Sequence, residues 1–319
     1  MRVAAVQMEA TVADLRANLK KARGLIDEAA AADAEWIALP EFFTTGIGFV
    51  PELANAALAP DGAATELLVE SAARHGVNVG GSFLCRDPDG EVRNAFLLAT
   101  PDGIAGRHDK DLPTMWENSF YVGGNDDGII ETGELTVGAA VCWELMRSQT
   151  VRRLRGRVDL VIGGSGWWSI PAWPPAGMMR RIEARNAELA RLAAESFSSF
   201  VGAPFVHAAH AGRLDCAMPW APLAYHGYFQ GGAVICEADG TVVARRDRAE
   251  GDGIAVGEIE PGRREPLERP PNDFWLHPRG ALSALSWNYQ RIHGRRWYRR
   301  HVRGRSAATV ASEPAGVGS

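Results

Sequence analysis

Cys142 stands where an alternating apolar run (Leu135, Val137, Ala139, Val141) gives way to a helix-spaced segment. That segment carries Leu145, Val151 and Leu154 on one side and arginines on the other. A cysteine at the end of a strand and the start of a helix meets unpaired N–H groups and a positive dipole end. Both favour the thiolate, the nucleophilic form of the residue. Cysteine is also among the most buried residue types, so this pattern by itself describes core filler equally well. Glu41 sits between the strand-ending Pro40 and the pair Phe42-Phe43. Two aromatic rings forming a pocket wall would take that carboxylate out of water, which suits a general base. Lys110 closes a third strand-like stretch, and Glu117 follows it past Pro113. A lysine so placed can hold an oxyanion as it forms. Nucleophile, base and cation are thus available, from three distant places in the chain.

The elements that would carry them alternate between the two periods. Arg2–Gln7 and Glu35–Leu39 read as short buried strands, and Asp14 caps a helix with Leu15, Leu19, Ala22, Leu25, Ile26 and Ala29 on one face. Ala63–His75 is a second helix, ended by Gly76. Strands over Asn78–Cys85 and Asn94–Ala99 flank the Pro88-Asp89-Gly90 turn, and a third follows Pro101-Asp102-Gly103. Val158–Ile162, Val201–Ala209, Gly232–Glu237 and Thr241–Arg245 complete the strands, and Met178–Phe200 is a long helix with a salt-bridged polar face. Tight Asp-Gly turns among helix-bearing units predict an α/β fold whose sheets are mixed rather than purely parallel. No linker interrupts residues 1–262, which are expected to form one domain. From residue 263 to 319 a Pro- and Arg-rich extension follows, with its last residues expected to be disordered. Its basic aromatic patch, Trp297 to Arg303, is expected to pack on a neighbouring subunit.

With 319 residues, 46% of them hydrophobic, the chain suffices for one large α/β domain. A net charge of −5 argues against nucleic acid or anionic lipid as partner. Gln7 and Glu9 interrupt any leader-like opening, and no apolar run reaches membrane-span length, so a cytoplasmic protein is expected. The four cysteines (Cys85, Cys142, Cys216, Cys236) form no CxxC pair. His207 and His210 lack a third ligand at convincing spacing, so neither metal nor cofactor is expected. His108, beside Arg107, reads as a surface residue. Ser165 lies in Gly-Gly-Ser-Gly-Trp, which lacks the second glycine of a nucleophile elbow and an evident acid–His pair.

Taken together, VAAVQ at the start, LPEFFTTG around Glu41, RHDKDLPTMWE around Lys110 and GAAVCWE around Cys142 resemble the nitrilase superfamily of carbon–nitrogen hydrolases. DLVIGGSGWW and FQGGAVICEADGTVVA continue the likeness, which runs over most of residues 1–260 in the family's order. The resemblance implies a four-layer α-β-β-α sandwich that pairs through a helical face, hence a homodimer or higher homo-oligomer. It implies Glu41 as general base, Lys110 as oxyanion holder, Cys142 as nucleophile and Glu117 as a second glutamate orienting Lys110 and substrate. The Trp143 N–H would complete the oxyanion site.

The activity implied is hydrolysis of a non-peptide carbon–nitrogen bond, amide or nitrile, in a small organic substrate. It would pass through a cysteine thioester and release ammonia and a carboxylic acid. Trp143, Trp167, Trp168 and Phe42 would make the pocket aromatic, with helix-borne Trp173 and Pro174 at its mouth. The chain departs from the nitrilase branch at Leu145, where Asn is usual, and at Gly166-Trp167, where Asn-Trp is usual. Nitrile, amide and N-carbamoyl-amine substrates therefore all stay open. The rival from another class is a catalytically idle binding or assembly subunit, against which the intact Glu41, Lys110 and Cys142 argue.

Overall fold

Alternation along the strands decides the layering. In the computed structural model, which describes residues 1–219, 223–278 and 281–310 (side chains of 281–284 aside), strand β1 (Arg2–Met8) turns Val3 and Ala5 into one core and Ala4, Val6 and Met8 into another. Strand β2 (Trp36–Ala38) repeats this, with Trp36 and Ala38 in the first core and Ile37 in the second. The two-residue period of extended chain makes this division unavoidable once both faces are covered. Helix α1 (Leu15–Ala31) begins at Asp14, whose carboxylate accepts the Ala17 N–H at 3.0 Å. It lays Leu19, Ala22, Leu25 and Ile26 on the second core. Helix α2 (Ala63–His75) joins that layer and stops at Gly76, which takes the left-handed conformation at φ 67°.

Strands β3 (Asn78–Arg86), β4 (Val92–Thr100) and β5 (Gly103–Asp109) meander antiparallel beside β2. Next come β6 (Ile129–Glu131), β7 (Thr136–Ala139), α3 (Ser148–Leu154), β8 (Leu160–Ser165), α4 (Ala176–Val201) and β9 (Phe205–His210). The hairpin β10 (Arg213–Ala217) and β11 (Ala224–Tyr228) forms a separate small sheet. Strands β12 (Ala233–Cys236), β13 (Val242–Arg246) and β14 (Gly253–Glu258) return to the main sheet, and α5 (Ala281–His301) follows.

Pairing yields two halves, β14-β1-β2-β3-β4-β5 and β6-β7-β8-β9-β12-β13, joined where Gln7 and Met8 meet Ala209 and His210. The halves face each other across the first core. There Gly80 of β3 lies so near Ile162 of β8 and Phe96 that a Cβ would sit 3.1 Å from the one and 2.5 Å from the other. α1 and α2 cover one outer face, and α4 covers the other through Phe197 and Val201. The result is the expected four-layer α-β-β-α sandwich with a mixed sheet.

Three expectations about the fold need correction, and one element is unanticipated. The single helix anticipated after Cys142 is broken: a one-turn 3₁₀ segment, Cys142–Met146, is separated from α3 by Arg147 in extended conformation (φ −114°, ψ 130°), bridged to Trp275. Trp173 and Pro174 precede α4 rather than riding on it. The hairpin β10–β11 lies where the sequence reading places no strand. The patch from Trp297 to Arg303 turns into its own chain: Trp297 packs edge-on to Phe49 and Phe120, and buried Tyr298 accepts the Val92 N–H at 2.8 Å and donates to Glu91 at 2.6 Å. Gly294 lets α5 lie against the Met115–Ser119 turn, where a Cβ would come within 2.9 Å of the Ser119 nitrogen. The final residues, 311–319, fall outside the described part. Among the described residues no helix is long and apolar enough to cross a membrane.

Candidate active site

Three strand ends meet at one point between the layers. Glu41 follows β2, Lys110 follows β5 and Cys142 follows β7. Glycines allow the approach: a Cβ on Gly164 of β8 would lie 2.7 Å from the Leu39 carbonyl oxygen and 2.8 Å from Pro40, and one on Gly163 would collide with the Ala140 carbonyl. No larger residue permits β8 to pass so close to the segments bearing Glu41 and Cys142.

Lys110 is fully buried, and its Nζ donates to Glu41 Oε1 at 2.7 Å and to Glu117 Oε2 at 2.8 Å. The Cys142 sulfur and one oxygen from each glutamate all lie within 4.8 Å of one another. All four residues expected to form the catalytic group are thus together. Such donor atoms could nominally hold a cation, but the Lys110 ammonium already lies between the two carboxylates. Glu41 is fixed by residues that the sequence reading missed: Asn94 of β4 donates to its Oε1 at 2.8 Å, and the Gly166 N–H donates to Oε2 at 3.0 Å. Glu117 Oε2 likewise receives the Thr114 N–H at 2.8 Å and the Tyr121 hydroxyl. Asn94 could have been picked out as a polar residue within an apolar strand; Tyr121 and Gly166 carry no comparable signal.

The charges follow from burial and neighbours. Burial alone would lower the Lys110 pKa, but the carboxylates of Glu117 and Glu41 outweigh it and hold the group charged. Burial pushes Glu117 up to about 7, against the pull of Lys110 and with the push of Glu41. Cys142 is raised well above the usual thiol range, first by burial and then by the Glu41 charge. The helix-end argument for a standing thiolate therefore fails: the turn after Cys142 is too short to offset desolvation, and the resting group is a thiol beside a base.

Backbone strain gathers here too. Of five non-glycine residues at positive φ among the described residues, three are Phe42 (54°), Met115 (47°) and Cys142 (52°), one in each of the Glu41, Glu117 and Cys142 segments. Each such residue costs roughly 1–3 kcal/mol and persists only where its surroundings fix it.

The expected aromatic residues divide between two clusters. Trp168 stacks on Trp116 at 4.4 Å, and Trp116 meets Tyr225 edge-on. Trp143 lies against Trp167 at 5.7 Å, stacks on Trp287 and meets Trp275 edge-on. Phe42 is buried against Tyr121. His108 corrects the surface expectation: it is fully buried and bonded at both ring nitrogens, to Asp126 and Glu144. Ser165 does have a histidine partner, His207 Nε2 at 2.7 Å. That pair belongs to the β8 and β9 face covered by α4, where Phe205 packs on Phe197.

Residues 2–269 match the family model described as carbon-nitrogen hydrolase. The chain belongs to the carbon–nitrogen hydrolase family. Among relatives, this carbon–nitrogen hydrolase is 27% identical to a nitrilase of Pyrococcus abyssi over 226 residues, 68% of this chain and 85% of that protein. It is 32% identical to an omega-amidase of Yersinia enterocolitica (53% of this chain, 65% of the relative). It is also 32% identical to an aliphatic nitrilase of Sinorhizobium fredii (45% and 53%). The chain therefore spans only about half to two-thirds of the length of these last two. In fold it is similar to a superfamily protein of Xanthomonas campestris, with TM-score 0.62, 20% identity and coverage of 81% and 90%. An amidase from Nesterenkonia sp. AN1, in a cysteine-to-serine variant, gives TM-score 0.60 with 20% identity and the same coverage.

Proposed function

We propose that this carbon–nitrogen hydrolase cleaves a small amide or nitrile through a thioester on Cys142, with Glu41 as base and Lys110 as oxyanion holder. One observation carries the reading: a buried ammonium is bonded to two carboxylates, and one oxygen of each carboxylate lies within 4.8 Å of a buried cysteine sulfur. In the amide case, Glu41 takes the Cys142 proton as sulfur bonds to the carbonyl carbon. Lys110 and the Trp143 N–H hold the oxyanion that forms. On collapse the C–N bond breaks, Glu41 returns its proton to nitrogen, and ammonia departs. Water then gives a proton to Glu41 and its hydroxyl to the thioester carbon. The C–S bond breaks, sulfur regains the proton, and the acid leaves. Glu117, with one oxygen shared between Lys110, the Thr114 N–H and Tyr121, orients the ammonium. The relatives support the class: one is named a nitrilase, another an omega-amidase, and the Nesterenkonia amidase is described with acrylamide added at its active-site cysteine.

The aromatic clusters around Trp143, Trp167 and Trp168, with Phe42, support a substrate carrying an organic side chain rather than a charged one. We read residues 1–262 as the hydrolase domain and 263–319 as an extension that α5 folds back onto it; the family match, ending at residue 269, supports that boundary. Self-association is part of the same reading, supported by the exposed row Leu285, Tyr289 and Ile292 on α5. Scoring nitriles, primary amides and N-carbamoyl compounds for ammonia and for acid tests the substrate assignment. Turnover of none by the wild-type protein counts for the idle-subunit alternative.

A further inference from the structure

Glu144 is a fully buried carboxylate outside the Glu41–Lys110–Cys142 group, yet it touches the backbone of two of its segments. Its Oε2 accepts the N–H of Val141, the residue before Cys142, at 2.8 Å. Its Oε1 accepts the N–H of Asp111, the residue after Lys110, at 3.2 Å. The same Oε2 lies 2.9 Å from His108 Nε2, and His108 reaches Asp126 through Nδ1. Asp126 in turn accepts the N–H groups of Asp109 and Gly128, each at 2.9 Å. Arg153 stands 3.5 Å and Arg147 3.9 Å from Oε1, and Arg147 also pairs with Asp111. The Val141 and Asp111 N–H groups face different oxygens of Glu144, so an isosteric amide would turn its own N–H groups onto one of these donors.

The charges agree with this geometry. Burial alone would lower the His108 pKa, but Glu144 and Asp126 raise it to about 10. Burial would raise that of Glu144, but His108, Arg153 and Arg147 hold it well below the usual carboxylate range.

We propose that Glu144 is a positioning residue, a brace that sets the distance between Cys142 and Lys110 by holding the backbone N–H next to each, with His108 fixing its orientation. No new chemical step is involved. The catalytic pair comes from two strand ends, β5 and β7, that are not neighbours in the sheet, and Glu144 supplies a direct tie between them. Misplacing a reacting group by ~1 Å can cost ~10²-fold in rate, which sets the scale of what such a tie protects.

The brace rests on the assignment of Cys142 as nucleophile, and that assignment is checked first, in the wild-type protein, by iodoacetamide labelling and peptide mass spectrometry. Turnover that continues once Cys142 is fully labelled overturns the assignment itself. The brace is then tested on Glu144→Gln, His108→Gln and the double variant, using kcat and KM on a turned-over substrate, the Cys142 labelling rate and the melting temperature. Glu144→Gln is expected to lower kcat by about 10²-fold while KM changes by less than about threefold. The Cys142 labelling rate shifts with it. His108→Gln loses less, and the double variant is no worse than Glu144→Gln alone, because both act along one path. A folded Glu144→Gln protein with wild-type kcat overturns the brace, as does full additivity in the double variant. Should Glu144→Gln fail to fold, Asp126→Asn and His108→Gln carry the test from the half-exposed end of the chain of contacts. A lower kcat at unchanged KM supports the brace there, and a lower melting temperature with kcat unaltered overturns it.

Discussion

Two pairs of a potential nucleophile beside a potential base, Cys142 with Glu41 and Ser165 with His207, differ in their means to do chemistry. Cys142 lies beside Glu41 where three strand ends meet, with the Lys110 ammonium bonded to that same carboxylate. Ser165 lies 2.7 Å from His207 on adjacent strands, on a face sealed by Phe205 and α4. There the histidine is held neutral: burial, with some help from Arg245, lowers its pKa to about 3. A hydrogen bond between the right atom types does not make a site. What separates the two is a preorganised positive charge for the oxyanion and a backbone strained into place around it.

The largest effect that sharpens this contrast is on the nucleophiles. Cys142→Ala should lower ammonia release by about 10⁴-fold or more. Ser165→Ala should leave it within about twofold, since that hydroxyl only satisfies a buried ring nitrogen. A steady-state ammonia assay on both variants settles the matter, and an inactive but folded Ser165→Ala protein would break the comparison. Next in size, Glu41→Gln should cost about 10²–10⁴-fold in kcat, the usual span for a general base. Single-turnover measurement should place the loss in thioester formation, and undiminished turnover would remove Glu41 from the mechanism.

A smaller effect concerns pH and has opposite signs in the two regions. Unfolded His207 binds a proton below about 6.5, whereas the folded residue resists it down to about 3. Its contribution to stability is therefore intact above pH 6.5 and is lost as the pH falls toward 3. Glu117, raised to about 7 from 4.5, does the reverse: its contribution is full below 4.5 and is lost as the pH rises through 7. Melting curves of His207→Gln should be flatter on the acid side than those of the wild type, and an unchanged acid limb contradicts the assignment. The smallest effect lies away from both pairs. Tyr298→Phe removes the bonds to Val92 and Glu91 that anchor α5 and should cost about 1–2 kcal/mol in denaturant unfolding.

Much of this was legible in the residue order. Strand alternation placed β1 and β2, Gly76 marked the end of α2, and the segments around Glu41, Lys110 and Cys142 are the ones that the fold brings together. His108 stands beside Arg107, which gives it the look of a surface residue, yet it is buried. Arg107 and Asp109 face outward and pair with each other, so the two-residue period of β5 turns His108 inward. The break after Cys142 was not visible, since Arg147 fits a helical pattern and is drawn into extended conformation by contact with Trp275, more than a hundred positions away. The proposed Glu144 brace is hidden for another reason: the groups it ties together are backbone N–H groups, which no side-chain pattern reveals.

The most direct test of the whole account is acid-quench mass spectrometry of the wild-type protein during turnover of an amide or nitrile that it hydrolyses. The account predicts an acyl group on the peptide containing Cys142, removed by hydroxylamine and absent from Cys142→Ala. An acyl group on Cys85, Cys216 or Cys236, or ammonia release that continues in Cys142→Ala, would contradict it.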